Sequence, residues 1–333
     1  MAASDPRFFH GLDIGGSKIE LVSFVDEQGS LHERHRRRMQ TPREDYAAFA
    51  HAVQSLVEEG DAVLGARAIV GIGLPGVIDS ESGKQLSSNV PALNGRRVAH
   101  SLSGQLDRPV HIGNDCQCFA LSEAQGGAAD GLPSMFGAIL GTGAGGGFCV
   151  GGRLVTGHNG LAGEWGHWPV PAAQLQRHKL PLLDCSCGLR GCLERYVSGR
   201  GLAALHQHLT GRDEPSDTLT IYELATHGDA VASQLVAIHL DVLAQGLAGL
   251  VLALDPHAIV LGGGLSKLQR LYDELPGAMA RYLFSGVRVP PVLPPRFGDA
   301  GGARGAALLA RQRSAGQATP ADQQAALIQI GNP

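Results

Sequence analysis

The pattern that most narrows the fold is a strand, a glycine turn and a second strand, met twice in one chain. Phe8–Ile14 is a short apolar run that ends at Gly15-Gly16, and Lys18–Val25 continues as a second strand. Phe136–Leu140 is another apolar run, followed by the turn Gly141–Gly147 and the strand Phe148–Val150. Both turns are glycine-rich and each carries a Ser or a Thr. That shared character favours duplication over two unrelated hairpins: two related α/β domains with nucleotide phosphates held between their turns. Glycine is also the compositional outlier, 47 of 333 residues, roughly twice its usual share. Its clusters at 15–16, 141–147, 151–152, 262–264 and 301–302 mark tight turns and close approach of backbone to ligand.

The rest of the chain reads as alternating α and β elements. Leu31–Met39 is a third strand, and its basic run Arg34–Arg38 fits a solvated edge strand or hairpin. Tyr46, Phe49, Ala50, Val53 and Val57 share one helical face within Arg43–Glu59, with Pro42 at the helix start. Ala68–Leu74 is a strand ending at Pro75-Gly76. Val110–Gly113 is another, ending at Asn114-Asp115, with a helix over about 116–125 after it. Leu235–Leu252 predicts a long core helix. Ala258–Leu261 runs into Gly262-Gly263-Gly264, and Ser266 is placed to cap the next helix. Gly301–Gln312 predicts a C-terminal helix, and the Ala-, Gln- and Pro-rich tail 314–333 a frayed or weakly docked end.

Composition excludes several classes. The length suffices for two domains with sizeable cores, and the 44% hydrophobic content is that of a globular chain. A net charge of −4 gives no general affinity for nucleic acid or an anionic membrane. No run of about 18 apolar residues predicts a membrane span. Met1–His10 lacks an apolar secretory core. Six cysteines without an export signal point to the reducing cytoplasm, where Cys-x-Cys is more often a metal-binding pair than a disulfide.

Four segments carry chemistry. In Asp13-Ile14-Gly15-Gly16-Ser17-Lys18, the glycines let backbone N–H groups face an anion, Ser17 adds a donor and Lys18 a charge. Asp13 beside phosphate calls for a bridging cation, Mg²⁺. The order is neither a Walker A loop nor a Rossmann fingerprint, and a plain hairpin turn is the alternative. Gly141-Thr142-Gly143-Ala144-Gly145-Gly146-Gly147 is a second phosphate candidate or a bulged hairpin. Gly262, Gly263 and Gly264 offer flat backbone to an adenine ring or a helix N-terminus. Asn114-Asp115 is a helix cap or, with Asp115 at a strand's C-terminal end, a general base for a substrate hydroxyl. Cys116, Cys118 and Cys149 read as buried structural cysteines. His167 with Cys185, Cys187 and Cys192 has the donor set and spacing of a closed zinc site; a reduced cluster or redox pair is the alternative. Glu164 and Glu194 bracket those ligands, so the metal would shape a polar site and do no chemistry itself.

These residues resemble the ROK group of sugar kinases, repressors and uncharacterised reading frames, from Gly11 to about Leu309. Asp13-Ile-Gly-Gly-Ser-Lys18 resembles the family's D-x-G-G-T-K phosphate loop, with Ser for Thr. Gly71-Ile-Gly-Leu-Pro-Gly76 resembles its sugar-side loop, and Asn114-Asp115 the pair whose aspartate is the base. Glu164-x-x-His167 and Cys185-x-Cys187-Gly-x-x-Gly-Cys192-x-Glu194 resemble its sugar-and-zinc signature. Ser88-Asn-Val-Pro91, Asn114–Ala124, Ser198–Gly201 and Gly298–Gly305 are similar to the branch that phosphorylates N-acetyl-D-glucosamine. Gln117 departs from the family's usual Asn, which touches a contact near the base and not the base. No helix-turn-helix precedes Phe8, which points away from the repressors.

The resemblance implies a two-lobed α/β fold of the actin/hexokinase (ribonuclease H-like) type around a cleft. It places 1–120 and about 295–333 in a smaller lobe, and about 121–294, with the zinc loop 163–194, in a larger one. Mg²⁺-ATP would contact Gly11, Leu12, Asp13, Ile14 and the turn to Lys18, the turn 141–147, and 262–264. Asp115 would take the proton of the sugar 6-hydroxyl. Asn114, Glu164, His167 and Glu194 would orient ring hydroxyls, with Gly76 and Asn89 lining the pocket. A structural Zn²⁺ on His167, Cys185, Cys187 and Cys192 would brace it. A homodimer is the family expectation. Glucose, N-acetylmannosamine and fructose are the rival sugars, and a non-catalytic sugar-sensing regulator is the rival of another class.

Overall fold

A computed structural model describes residues 7–79, 81–86, 89–211, 217–298 and 301–316. Apolar runs bounded by turn residues become strands, and the segments between them that carry one apolar face become helices. The first part of the chain forms β1 (Arg7–Ile14), β2 (Lys18–Glu27), β3 (Ser30–Gln40), α1 (Tyr46–Leu64), β4 (Ile69–Leu74), β5 (Val77–Ile78), β6 (Gln85–Leu86), α2 (Val98–Leu106), β7 (Val110–Asn114) and α3 (Asp115–Ala124). There follow β8 (Ser134–Leu140), β9 (Ala144–Val150), β10 (Arg153–Val155), α4 (Ala172–His178), α5 (Glu194–Val197), α6 (Gly199–Thr210), α7 (Thr218–Thr226) and α8 (Ala230–Leu254). The chain closes with β11 (Ile259–Gly262), α9 (Gln269–Ala280), β12 (Val292–Leu293) and α10 (Gly301–Ser314).

Two five-stranded sheets result, ordered β3-β2-β1-β4-β7 and β10-β9-β8-β11-β12. Counted within each sheet, the order is the same. In the first, β1 pairs antiparallel with β2 and parallel with β4, which is parallel to β7. In the second, β11 lies parallel between β8 and β12, and β9 pairs antiparallel with β10. The repeat read from the glycine turns is therefore a repeat of topology. Among the described residues, those up to Gly131, Gly147–Ala162 and those from Gly301 form one compact unit; Leu132–Gly146 and Gly163–Gly298 form another.

Strand alternation sorts the first sheet into two faces. Leu12, Ile14, Ile19, Leu21, Val70, Ile72 and Ile112 join Phe49, Val53 and Leu56 of α1 and Leu102 of α2 in one core. Phe9, Val22 and Phe24 pack on the other side, against Ala303, Ala307 and Ala310 of α10. Gly11 and Gly71, partners across β1 and β4, sit on that second face. A Cβ on Gly11 would lie 1.8 Å from the Ala303 carbonyl oxygen, and one on Gly71 1.9 Å from that of Ala306. On α10 itself, a Cβ at Gly305 would lie 1.7 Å from the carbonyl oxygen of Cys118 in α3. Gly11, Gly71 and Gly305 thus form part of the seat on which this helix rests.

Several expectations need correction. α1 starts at Tyr46, not Arg43, because Asp45 caps it by accepting the Ala47 and Ala48 N–H groups; it runs on to Gly65, whose left-handed backbone (φ 65°) ends it. β9 begins at Ala144, so the second glycine turn is only Gly141–Gly143. Ser266 caps nothing: its hydroxyl donates to the Gly263 carbonyl (2.7 Å), and Leu268 precedes α9 without a side-chain cap. The basic run does lie on an edge strand, with Arg36 and Arg38 both paired to the buried Glu20. Cys118 and Cys149 are buried as expected, and Cys116 is half-buried. α8 is long and apolar enough to cross a membrane, but most of it is buried against its neighbours in the second unit. The tail expectation falls, beyond Gly316, outside the described residues.

The glycine seat yields a prediction. Gly71→Ala should destabilise the protein by about 1–3 kcal/mol or more through overpacking. Gly104→Ala, in α2 where an added Cβ meets open space, should instead stabilise it by about 0.4–1 kcal/mol. Urea denaturation of the two variants checks both signs.

Candidate active site

In the first unit, Asp13 of β1 pairs in register with Gly73 of β4, which pairs with Gly113 of β7. Asp13 on β1, and Asn114 and Asp115 at the end of β7, therefore stand at the C-terminal ends of two parallel strands that flank β4, the end of an open α/β sheet where ligands bind. A Cβ on Gly302 would come within 2.6 Å of the Asp13 carboxyl carbon, so the first turn of α10 abuts that side chain. Gly11, Leu12 and Ile14 are buried in β1, which leaves Asp13 and Gly15–Lys18 as the accessible part of the segment. The turn is held tightly. Gly15 N–H donates to the Lys18 carbonyl (2.9 Å), Thr41 Oγ1 donates to the Gly15 carbonyl (2.8 Å), and Thr41 N–H to that of Ser17 (3.1 Å). A Cβ on Gly16 would meet the Asn89 carbonyl at 3.1 Å, so this turn and Asn89 are neighbours.

Asn114 is the cap of α3: its Oδ1 accepts the Cys116 and Gln117 N–H groups, and its Nδ2 donates to the Gly76 carbonyl (3.0 Å). Gly76 has φ 84°, a conformation that favours glycine. Asp115 is the first residue of the helix and is half-buried. Burial pushes its carboxyl up from the usual aspartate range, against the Cys116 N–H that donates to Oδ1 at 2.9 Å. Burial first, and then Asp13 and Asp115, push up the thiol of Cys118, which stays an inert core thiol. Gln117 donates to the carbonyls of Gly160 (3.0 Å) and Ala162 (3.1 Å), tying α3 to the chain just before Glu164.

In the second unit the glycine turn is clamped from several sides. Glu194 Oε2 accepts the Ala144 N–H at 2.9 Å, and a Cβ on Gly143 would fall 2.4 Å from that oxygen. Trp165 Nε1 donates to the Gly145 carbonyl (2.8 Å), Gly199 N–H donates to that of Gly141 (2.8 Å), and Gly146 lies against Phe136 and Gly137. Gly147, in the first unit, lies against Gln117 and Ala120. Gly262 closes β11. Gly263 (φ 77°) passes so close to Leu140 that a Cβ would be 2.4 Å from its carbonyl oxygen, and a Cβ on Gly264 would meet open space. Thr41, which holds the first turn, and Trp165, which holds the strand after the second, were missed from sequence. Each acts across strands far apart in the chain, and neither carries a local signal.

The cysteine–histidine set comes together. The candidate ligand atoms of His167, Cys185, Cys187 and Cys192 all lie within 4.8 Å of one another. Cys185 Sγ is 3.8 Å from His167 Nδ1, and Cys187 Sγ 3.7 Å from Cys192 Sγ. A tetrahedral zinc with bonds of about 2.3 Å to sulfur has edges of about 3.8 Å, so the donor set fits that ion in type and in spacing. Burial, then the thiols of Cys187 and Cys185, push Cys192 up to about 12. At Cys187 the burial effect is outweighed by the Leu189 N–H and the neighbouring thiols, which lower it. His167 Nε2 points the other way, 3.8 Å from Glu164 Oε2. Glu194 Oε1 is 3.9 Å from Cys185 Sγ, so one carboxylate reaches from the thiols to the glycine turn.

The ROK family model matches residues 9–313. An N-acetylgalactosamine kinase, AgaK, of Shewanella sp. (strain ANA-3) is 48% identical over 308 residues, 92% of this chain and 98% of that one. An N-acetyl-D-glucosamine kinase of Photobacterium profundum is 42% identical over 303 residues, 90% of this chain and 98% of that one. The solved structure of a ROK hexokinase from Thermus thermophilus matches with a TM-score of 0.81 at 33% identity, covering 93% of this chain and 99% of that one. The doubled sheet is the actin/hexokinase-like fold of such kinases, and the chain belongs to the ROK family.

Proposed function

We propose that this chain, an ATP-dependent sugar kinase of the ROK family, transfers the γ-phosphoryl group of Mg²⁺-ATP to the 6-hydroxyl of an N-acetylhexosamine, with Asp115 as general base. The observation that carries the reading is Asp115 itself. It is fixed by the Cys116 N–H at the C-terminal end of β7, and burial raises its affinity for a proton. A base of that kind accepts the hydroxyl proton as the oxygen attacks phosphorus in line. Gly15, Gly16, Ser17 and Lys18 would hold phosphate oxygens, with Asp13 on the accompanying Mg²⁺. The turn Gly141–Gly143 and the start of β9, Ala144–Gly147, would hold the remaining phosphates, and Gly262–Gly264 the adenosine. Gly11, Leu12 and Ile14 can contribute only backbone, since their side-chain positions are buried.

Glu164, His167, Glu194 and Asn114 are assigned to sugar hydroxyls, and Gly76 and Asn89 to the pocket wall. Zinc, when bound, would supply a rigid cross-link and no acid–base chemistry. His167 would meet the metal through Nδ1 and keep Nε2, beside Glu164, for a hydroxyl. N-acetyl-D-glucosamine is the acceptor favoured by the motifs. The higher identity to an N-acetylgalactosamine kinase favours its C4 epimer, and that is the second reading.

A panel of acceptors in an ADP-release assay tests the substrate class. N-acetylglucosamine and N-acetylgalactosamine should both exceed glucose, N-acetylmannosamine and fructose in kcat/KM; preference for glucose would overturn the assignment.

The base makes a paired prediction. The raised pKa of Asp115 means that the native state favours the acid form. Its contribution to stability is intact below about pH 3.9, the usual aspartate pKa, and is lost as pH rises through the raised value, where a desolvated carboxylate must ionise. Asp115→Asn avoids that cost, so at pH 7 it should melt no lower than wild type. Its kcat should fall at least ~100-fold with sugar binding retained. Turnover near the wild-type rate would remove Asp115 from the role.

Elemental analysis should find one zinc per chain, and Cys187→Ser should lose it. The sugar KM should then rise while the ATP KM holds. Unaltered sugar kinetics in metal-free protein would exclude the bracing role.

A further inference from the structure

The second unit has a strongly basic concavity that none of the proposed sugar, nucleotide or zinc residues lines. It is open, with a volume of about 450 Å³, and lies between the C-terminal end of α4, the middle of α8 and the residue after α9. Arg177, His178, Lys179 and Arg281 line it with Ala237 and Ile238, and Asp241 is its one acidic residue.

Asp241 organises the basic groups. It is 9% exposed. Its Oδ2 accepts His178 Nε2 at 2.8 Å and Arg177 Nη1 at 3.3 Å, and its Oδ1 accepts Tyr282 Oη at 2.6 Å and Arg281 Nη2 at 3.1 Å. Gln174 donates to the same tyrosine oxygen at 2.8 Å. Burial alone would raise this carboxyl, but these donors hold it far below the usual carboxylate range, so Asp241 stays charged.

A staple between helices accounts for Tyr282, Gln174 and His178. It does not account for two arginines, 57% and 62% exposed, converging on one carboxylate. Each guanidinium meets Asp241 through a single Nη, and Lys179 is exposed beside them. The second Nη of each arginine and Lys179 Nζ have no partner among the described residues. One negative charge thus holds two guanidinium groups and His178, with the Lys179 ammonium lining the same concavity, in a chain whose net charge is −4. Pre-oriented guanidinium forks with a free edge suit the oxygens of a phosphate group, which can take two parallel N–H bonds from one arginine.

We propose that this concavity is a binding site for a phosphate dianion, free or as a small phosphate monoester, separate from the substrate residues.

Equilibrium dialysis of the full chain with labelled inorganic phosphate, and separately with glucose 6-phosphate, tests it. The Lys179→Gln/Arg281→Gln double variant should bind one anion fewer per chain than wild type, or bind it ~10-fold more weakly, as loss of charge-assisted bonds predicts. Its kcat and KM should be unchanged. Both side chains are exposed, so the variant should fold; Arg177→Gln, on a different helix, should show the same loss. Tighter binding of the ester than of inorganic phosphate would assign the site to a monoester, and the reverse to the free ion. Equal anion binding by wild type and both variants, or no saturable difference with either probe, would overturn the proposal.

Discussion

The first unit depends on how closely α10 approaches the sheet beneath it. Gly11 and Gly71 leave no side chain between the helix backbone and β1 and β4, and Gly305 does the same between α10 and α3. Contacts of this kind have no slack, because an added methyl meets a carbonyl oxygen and not a rotatable side chain. Arginines of α10 fasten the seat along its length: Arg304 donates to the Ser122 carbonyl (2.8 Å), Arg313 to that of Ile112 (2.9 Å) and Arg311 to that of Gly29 (2.8 Å). The elements so fixed carry Asp13 and Asp115. The residues proposed to handle phosphate and proton are thus positioned by a helix from the far end of the chain.

Glu194 has a comparable place in the second unit. Its carboxylate receives the Ala144 N–H at the mouth of the glycine turn and approaches the thiol of Cys185. Gly143 must lack a Cβ for that carboxylate to fit. Glutamate suits the post because it offers two oxygens and can serve both neighbours at once.

Much of this was legible in the sequence, and the reasons are local. β1, β2, β4, β8 and α10 declare themselves by apolar periodicity and glycine ends. The donor spacing of His167, Cys185, Cys187 and Cys192 marks a candidate metal site before any fold is known, and the fold brings the four side chains together. Boundaries were less legible. The start of α1 was set by the Asp45 cap, and the end of the second glycine turn by strand pairing, since Gly145–Gly147 look like turn residues to the eye but lie in β9. Ser266 failed as a cap because a short 3-10 turn intervenes before α9 and takes its hydroxyl.

What the sequence by itself determined is the class of the protein: the doubled strand–turn–strand frame, the metal donor set, and Asp115 at a strand end. Those signals are short-range, and chemistry constrains them residue by residue. Only the tertiary structure decided why the glycines are where they are. Gly11, Gly71, Gly143, Gly263 and Gly305 answer to backbone or carboxylate approaching from distant segments, which no local pattern encodes. The tertiary structure likewise gathered Arg177, Lys179, Arg281 and Asp241 into one basic concavity. Their separation along the chain hides the cluster, because charges are read from sequence one at a time while their field depends on where the fold sets them.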